Sequence, residues 1–186
     1  MGYETIRTFV AIPVNYKKIE KSYAELRQTL SRDKIKWVDP FQFHLTLQFI
    51  GDTPLELVDE IKAVVESLSW EDTAIRFDGL GYFGSKGLPR VLFVKTKPND
   101  VLQQLQAYVH NELGKLITLK EENREYVPHL TLGRIKFVKN KKHFYETIER
   151  LSPGFDFESK LDKVVFFKST LTPEGPVYEE LAVRKK

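Results

Sequence analysis

Apolar residues recur along the chain with two periods, one typical of helices and one typical of strands. Segments with apolar residues three or four positions apart predict amphipathic helices with one buried stripe. Alternating segments and short apolar runs bounded by Gly or Pro predict strands. The predicted helices are about 16–31, a segment from 53–56 to Leu68, one from 98–100 to Leu116, and one carrying Phe144 to Leu151. The predicted strands are 6–12, 36–38, the segments that begin at His44 and at His129, 73–83, 90–96, 155–159, 161–170 and 177–184.

The second helix has clear start signals. Thr53 and Glu56 have the spacing of a capping box, in which each side chain bonds the backbone of the other. Pro54 stands where the first helical residue is expected, a position at which proline is favoured. We therefore expect Gly51 to end the preceding strand and Thr53 to cap the helix.

The order of these elements predicts an α+β fold with mostly antiparallel pairing, because strands and helices do not alternate as repeated βαβ units. The 186 residues suit one domain or two small lobes that share an interface. No Gly- or Ser-rich linker divides the chain; a polar connector, 120–125, precedes the second half's motif strand. We expect residues 1–186 to form a single unit of two similar lobes whose strands meet across a central groove.

One string of four residues occurs twice, as His44–Leu47 and as His129–Leu132, with starts 85 residues apart. The strict alternation predicts that His and Thr face one side of a strand and the leucines the other. A single copy is most simply an ordinary strand with a polar outer face. Core packing explains repeated leucines but not a repeated His-x-Thr on the other face. The repetition therefore favours a functional site that combines both pairs.

Two histidines on opposite sides of a phosphorus centre suffice for general acid and base catalysis of in-line displacement. Histidine suits both roles because its ordinary pKa near 6.5 keeps both protonation states populated near neutrality. The hydroxyls of Thr46 and Thr131 are candidates to bond phosphate oxygens that gain charge. The symmetry of the motifs does not decide which histidine, His44 or His129, is the acid.

Two further candidates, Arg134 and Phe49, stand five positions after the motif histidines. Arg134 is suited to bidentate phosphate binding. An offset of five puts both residues on the leucine face of a regular strand, where Arg134 has no role in the site and Phe49 packs in the core. A bulge at Gly133 would return Arg134 to the histidine face. Phe49 is expected to pack in the core by default, and contact with a base is its alternative role.

Composition narrows the class of protein only slightly. The net charge of +3 and the isoelectric point near 8.9 are a mild bias toward anionic partners. The absence of cysteine excludes disulfides and thiolate metal sites. No stretch approaches the roughly 18 apolar residues of a membrane helix, and the amino terminus lacks the apolar core of a signal peptide. We expect a cytoplasmic protein.

The remaining charged and histidine residues favour plain structural roles. His110 and His143 are expected on solvated helix faces, and the run 139–142 is expected to be a solvated helix start rather than an RNA clamp. The histidines and carboxylates lack metal-ligand spacing, so we expect no metal. The sequence contains no Lys-x-Asp-Gly nucleotidylation motif and no Gly-rich phosphate loop, which argues against an ATP-dependent ligase.

The two motifs, His44–Gly51 and His129–Arg134, resemble the signatures of the two-histidine (2H) phosphoesterase superfamily. The similarity is greatest to its RNA 2′,3′-cyclic phosphodiesterase branch, also called 2′-5′ RNA ligase-like. It extends to Arg7–Ile12, to Trp37–Val38 and to Ser169–Tyr178, and so covers nearly the whole chain.

The resemblance implies a pseudo-twofold bilobal fold and metal-free, cofactor-free hydrolysis of an RNA 2′,3′-cyclic phosphate to a 2′-phosphate. It implies that His44 is the proton donor and His129 the proton acceptor, that Thr46 and Thr131 hold phosphate oxygens, that Arg134 assists, and that Phe49 contacts a base. Reversal would join RNA ends through a 2′-5′ bond without ATP.

Three hypotheses follow for function. The first is a monomeric enzyme acting on RNA that ends in a cyclic phosphate, such as tRNA fragments. The second keeps the chemistry but takes a small cyclic nucleotide, ADP-ribose cyclic phosphate or a 2′-5′ oligoadenylate. The third is a non-catalytic module that binds single-stranded RNA, because small antiparallel sheets with aromatic residues do so.

Overall fold

The structure, a computed structural model, describes residues 4–85, 87–119 and 126–186. These residues form one antiparallel sheet and four α-helices. The strands are β1 Thr5–Pro13, β2 Lys34–Trp37, β3 His44–Pro54, β4 Ala74–Ser85, β5 Leu88–Thr96, β6 His129–Phe137, β7 Asp156–Lys160, β8 Lys163–Leu171 and β9 Pro176–Lys185. The helices are α1 Glu20–Thr29, α2 Val58–Glu66, α3 Asp100–Leu116 and α4 Lys141–Leu151. The predicted connector at 120–125 lies outside the described residues.

The sheet is arranged symmetrically about its two central strands. Its order is β7-β4-β5-β6-β3-β1-β8-β9, and β2 pairs with β6 beside this path. Along this path, which leaves out β2, four strands lie on each side of the boundary between β6 and β3, where Leu45 pairs with Leu130. The two strands that begin with His-Leu-Thr-Leu thus occupy equivalent places at the centre of one sheet. The predicted α+β fold is confirmed, and two lobes are consistent with this arrangement.

The helices cover the face of the sheet onto which the motif leucines point. Leu45, Leu47, Leu130 and Leu132 are buried in the main core. Each helix adds apolar side chains to the same core, including Tyr23, Leu26, Ile61, Val65, Leu105, Val109, Phe144 and Ile148. The opposite face, which we call the open face, carries a smaller buried cluster of Phe9, Ala11, Val165 and Phe167. The hydrophobic effect thus holds all helices on one face and leaves the histidine face uncovered by them.

The predicted boundary between β3 and the second helix is wrong. Gly51 does not end β3: it has φ of +89°, at an irregularity in the pairing with β1, and the strand continues to Pro54. Thr53 does not cap the helix, because its hydroxyl bonds the Thr8 hydroxyl (2.6 Å) and the Gly51 carbonyl (3.1 Å). The chain passes through a 3₁₀ turn, Leu55–Leu57, before α2 begins.

The helical segments that contain α1 and α4 begin close to their predicted positions. The first helix is preceded by a 3₁₀ turn at Tyr16–Lys18, so α1 itself begins only at Glu20. The polar run at 139–142 is a helix start as expected, because the Asn140 side chain accepts a bond from the His143 backbone N–H (3.1 Å). None of the described helices is both long and apolar enough to cross a membrane.

Candidate active site

The central strand pair brings the two motif histidines onto the same face of the sheet. With Leu45 opposite Leu130, the antiparallel register sets His44 across from Thr131 and His129 across from Thr46. The histidines are then diagonal neighbours, and such positions are roughly 7–8 Å apart on one sheet face. The positive charge of His129 also lowers the pKa of His44.

The two imidazoles are held by equivalent backbone contacts, each with the carbonyl two residues earlier in the chain. His44 Nδ1 lies 2.7 Å from the Gln42 carbonyl, and His129 Nδ1 lies 2.8 Å from the Val127 carbonyl. A carbonyl oxygen only accepts, so Nδ1 carries a proton in both rings. Proton exchange is therefore assigned to Nε2 in each case. Gln42 is itself fixed, because its side chain donates to the Pro176 carbonyl at 2.7 Å.

Each motif strand carries a β-bulge immediately after its threonine. Between β3 and β1, Ala11 pairs with Thr46 and Val10 with Gln48, so Leu47 is the extra residue. Between β6 and β5, Phe93 pairs with Thr131 and Leu92 with Gly133, so Leu132 is the extra residue. The two halves therefore have the same irregularity at the same motif position.

These bulges place Phe49 and Arg134 on the open face together with the histidines. The expected bulge in β6 is confirmed, next to Gly133. A Cβ on Gly133 would lie 2.7 Å from Ile35 Cγ2, so this position has room only for glycine. Arg134 is exposed, and Phe49 is half-buried against the open-face cluster.

His44 lies among aromatic rings contributed by β1 and β9. Its ring centroid is 5.1 Å from that of Phe9 and 5.5 Å from that of Tyr178. Burial lowers the pKa of His44 below 6.5, the bond to Gln42 acts in the opposite direction, and the charge of His129 lowers it further. These surroundings thus favour neutral His44.

His129 contacts a different aromatic pair, contributed by β4 and β5. Its centroid is 4.9 Å from that of Phe83 and 5.2 Å from that of Phe93. These two rings stack on each other at 4.1 Å. A Cβ on Gly81 would lie 2.8 Å from the Phe93 ring, so the glycine leaves room for that ring. Lys95 pairs with His129 in the neighbouring strand.

The threonines present hydroxyls on the open face. Thr46 and Thr131 are half-buried, and within the described ranges neither hydroxyl has a hydrogen-bond partner. The Thr46 backbone is fixed by Tyr126, whose hydroxyl donates to its carbonyl at 3.0 Å. Both hydroxyls can therefore donate to a bound anion.

Two arginines and a tyrosine complete the polar part of the site. Burial raises the pKa of Tyr178, and the positive charges of Arg134 and Arg7 lower it. The Arg7 guanidinium carbon also lies 4.8 Å from the centroid of the Phe49 ring. The sequence motifs did not identify Arg7, Phe9 and Tyr178 as part of the site. The alternation of β1 would have placed Arg7 with Phe9, but only the sheet order brings β9 beside them.

The other two histidines lie on exposed helix positions, as expected. His110 Nδ1 lies 2.9 Å from Gln48 Oε1, and His143 Nε2 lies 3.4 Å from the Thr29 carbonyl. Among the described residues, no group of three or more histidine or carboxylate side chains is arranged to hold a metal ion.

Comparisons with known proteins agree on one family. The sequence model of the 2′-5′ RNA ligase superfamily matches residues 16–172. The chain is 32% identical over 174 residues to an RNA 2′,3′-cyclic phosphodiesterase of Methanocaldococcus jannaschii, covering 94% of this chain and 97% of that protein. It is 32% identical over 183 residues to a protein of the same name from Thermotoga maritima, with 95% and 93% covered.

Solved structures show the same fold. The protein TT0787 of Thermus thermophilus superimposes with a TM-score of 0.80 and 25% identity, covering 97% of each chain. Escherichia coli LigT complexed with 3′-AMP superimposes with a TM-score of 0.79 and 19% identity, covering 98% of each chain.

Proposed function

The chain belongs to the 2′-5′ RNA ligase superfamily, and we propose that it hydrolyses RNA 2′,3′-cyclic phosphate ends to 2′-phosphomonoesters. Relatives about 30% identical over nearly their whole length are named RNA 2′,3′-cyclic phosphodiesterases. The observation that carries the proposal is the pairing of the two His-Leu-Thr-Leu strands at Leu45 and Leu130, with both imidazoles held through Nδ1.

The proposed reaction is a single in-line displacement at phosphorus. Neutral His129 accepts a proton at Nε2 from water as the water oxygen attacks phosphorus. The bond between phosphorus and O3′ breaks on the opposite side, and protonated His44 donates its Nε2 proton to O3′. The products are a 2′-phosphate and a 3′-hydroxyl, and one proton has passed from water to His129 and another from His44 to the sugar.

The flanking side chains hold the phosphate and the end of the strand. Thr46 and Thr131 donate to the non-bridging oxygens, whose charge increases in the transition state. Arg134 reaches the same oxygens because the bulge returns it to the open face. Phe49 offers a ring for the terminal base, next to Arg7.

As the proton donor, His44 must be protonated when the reaction begins. Burial and the charge of His129 lower its pKa before substrate binds, so at a given pH His44 carries a proton less often than an ordinary histidine does. A cyclic phosphate is an anion, and its charge beside the His44 imidazole raises the pKa of that group. In this proposal, substrate binding therefore causes His44 to take up the proton that it later donates.

The reverse reaction uses the same groups. A 5′-hydroxyl in place of water gives a 2′-5′ phosphodiester, and the energy of the strained cyclic phosphate replaces ATP. Which direction dominates depends on the concentrations of RNA ends and on the affinity for the incoming 5′-hydroxyl.

The direct test is incubation of an RNA oligonucleotide ending in a 2′,3′-cyclic phosphate in H₂¹⁸O with EDTA. We expect hydrolysis to persist with the chelator and the product to carry one ¹⁸O in a 2′-phosphate, identified by mass spectrometry and ³¹P NMR. A 3′-phosphate product, or no turnover of any cyclic phosphate, would contradict the proposal. A panel including 2′,3′-cyclic AMP, ADP-ribose cyclic phosphate and 2′-5′ oligoadenylate separates the alternative substrates.

A further inference from the structure

A row of basic side chains extends from Arg134 along the open face of β6 and β2. Lys36 pairs directly with Arg134, and Lys34 pairs with Phe137 one step farther along the sheet. Lys136 lies between these two pairs, at a register irregularity. We call this set the basic strip: Lys34, Lys36, Arg134, Lys136 and Phe137.

The packing of β2 fixes the direction of the strip. Ile35 and Trp37 pack against the core, so the alternating residues Lys34 and Lys36 point to the open face. All five members of the strip are exposed, and the Phe137 side chain is 55% exposed. The strip therefore continues the same surface on which His129 and Thr131 lie.

The charges of the strip are not neutralised by neighbouring carboxylates. Within the residues that the structure describes, none of its four cations forms an ion pair. On the outer strands of the other half, by contrast, Lys163 pairs with Glu180 (3.2 Å) and Lys168 with Glu179 (3.2 Å). Unneutralised cations in a row are costly to keep together and are suited to a linear polyanion.

We propose that the basic strip binds the backbone of the RNA strand that precedes the cyclic phosphate, with Phe137 as a stacking ring at its far end. This inference rests on the proposed function, since the strip begins at Arg134 beside the candidate phosphate site. Adjacent strands are about 4.8 Å apart and alternate residues along a strand about 6.6 Å, so the cations form a continuous path. The natural substrate is then an oligonucleotide end, and a cyclic mononucleotide uses only part of the surface.

The test compares two substrates in the Lys34→Glu/Lys36→Glu variant, which leaves the candidate catalytic groups intact. The substrates are 2′,3′-cyclic AMP and a single-stranded RNA oligonucleotide with a 2′,3′-cyclic phosphate end. We expect KM for the oligonucleotide to rise roughly tenfold or more, with the slope of log affinity against log salt reduced by about 1.4 for two lost phosphate contacts. Turnover of cyclic AMP should fall far less, and it should be unchanged in the Lys34→Gln/Lys36→Gln variant, which places no carboxylate opposite Arg134.

A matched control tests for a nonspecific effect of charge, and a milder variant tests whether the glutamates disturb β2. Lys17→Glu/Lys21→Glu makes the same change in net charge at exposed positions on the helix side, and should leave oligonucleotide binding within about twofold, as expected for nonspecific surface charge. Lys34→Gln/Lys36→Gln should show a smaller loss of the same kind if the glutamates disturb β2.

Fluorescence anisotropy with a labelled oligonucleotide keeps the test independent of catalysis. Oligonucleotide binding that weakens only in the strip variants supports the strip as an RNA-binding surface. If at the same time no substrate is hydrolysed, the proposed function is contradicted but this inference is not. Equal weakening in the helix-side control, or no weakening in the strip variants, would overturn the inference while leaving the hydrolysis proposal standing.

Discussion

The β3 half and the β6 half of the site share their motif but differ in what surrounds it. Each begins with His-Leu-Thr-Leu, fixes its histidine through Nδ1 and bulges at the second leucine. At the equivalent position five residues after the histidine, however, the β3 half carries Phe49 and the β6 half carries Arg134. The neighbours of the histidines differ as well, with Phe9 and Tyr178 on one side and Phe83 and Phe93 on the other.

In the proposed reaction, this difference would allow a symmetric frame to carry out an asymmetric displacement. The shared features place two similar imidazoles on one face, which is enough for proton transfer in either direction. We expect the unshared residues to bind different parts of the substrate, because an aromatic ring suits a base and a guanidinium suits a phosphate. In this account the β3 half binds the terminal nucleoside and the β6 half binds the strand's phosphates.

The largest expected effect tests what the halves share. His44→Ala and His129→Ala should each reduce turnover by roughly 10²–10⁴-fold, the usual contribution of a general acid or base. The double variant should be little worse than either single variant, because groups that act as a unit are not additive. His143→Ala, on an exposed helix position, is the control and should retain full activity. Full activity in either motif variant would refute the two-histidine mechanism.

The next effect tests what the halves do not share. Arg134→Ala should lower kcat/KM about 10–100-fold, from the loss of charge-assisted hydrogen bonds worth about 1.5–3 kcal/mol. Arg134→Lys should have a kcat/KM between those of Arg134→Ala and the wild type, because lysine keeps the charge but cannot bond bidentately. The loss should be the same for an abasic ribose cyclic phosphate as for a nucleotide. A loss confined to substrates with a base would place Arg134 outside the phosphate site.

Phe49→Ala should have a smaller effect, about fivefold, near the low end for stacking on one base. Here the abasic substrate should show no loss relative to the wild type, because it has no ring to stack. Steady-state kinetics on the two substrates gives the answer. An equal loss on both would mean that Phe49 supports the fold through Phe9 and Arg7 rather than contacting a base.

The electrostatic link between the halves can be measured without substrate. His129→Gln removes a charge that lowers the pKa of His44, so the pKa of His44 should rise in this variant while remaining lowered by burial. ¹H–¹⁵N NMR titration of the imidazoles reports this directly. An unchanged His44 titration would show that the two rings do not interact.

The smallest effect concerns stability. Because the pKa of His44 is lowered in the folded chain, the unfolded chain takes up a proton more readily. This contribution to stability is present above the ordinary value of 6.5 and is lost as pH falls below it. His44→Gln should therefore show a flatter dependence of the free energy of unfolding on pH between neutral and mildly acidic conditions. Urea unfolding at several pH values measures it, and an identical pH dependence would contradict the lowered pKa of His44.

The sequence predicted what depends on local pattern and missed what depends on distant neighbours. Alternation placed the motif histidines opposite the leucines, and Gly133 indicated the bulge beside Arg134. Thr53 was misassigned as a helix cap because its hydroxyl bonds Thr8, 45 residues away. Tyr178 joins the site only through the pairing of β8 with β1 and β9.

The most direct test of the central idea is whether one anion engages both imidazoles. Titration of the wild-type protein with inorganic vanadate, followed by ¹⁵N NMR of the histidine side chains, monitors both Nε2 atoms at once. We predict that the Nε2 signals of His44 and His129 shift together along one binding curve with one anion bound per chain. Signals that shift at different concentrations, or only one signal that shifts, would contradict a shared site.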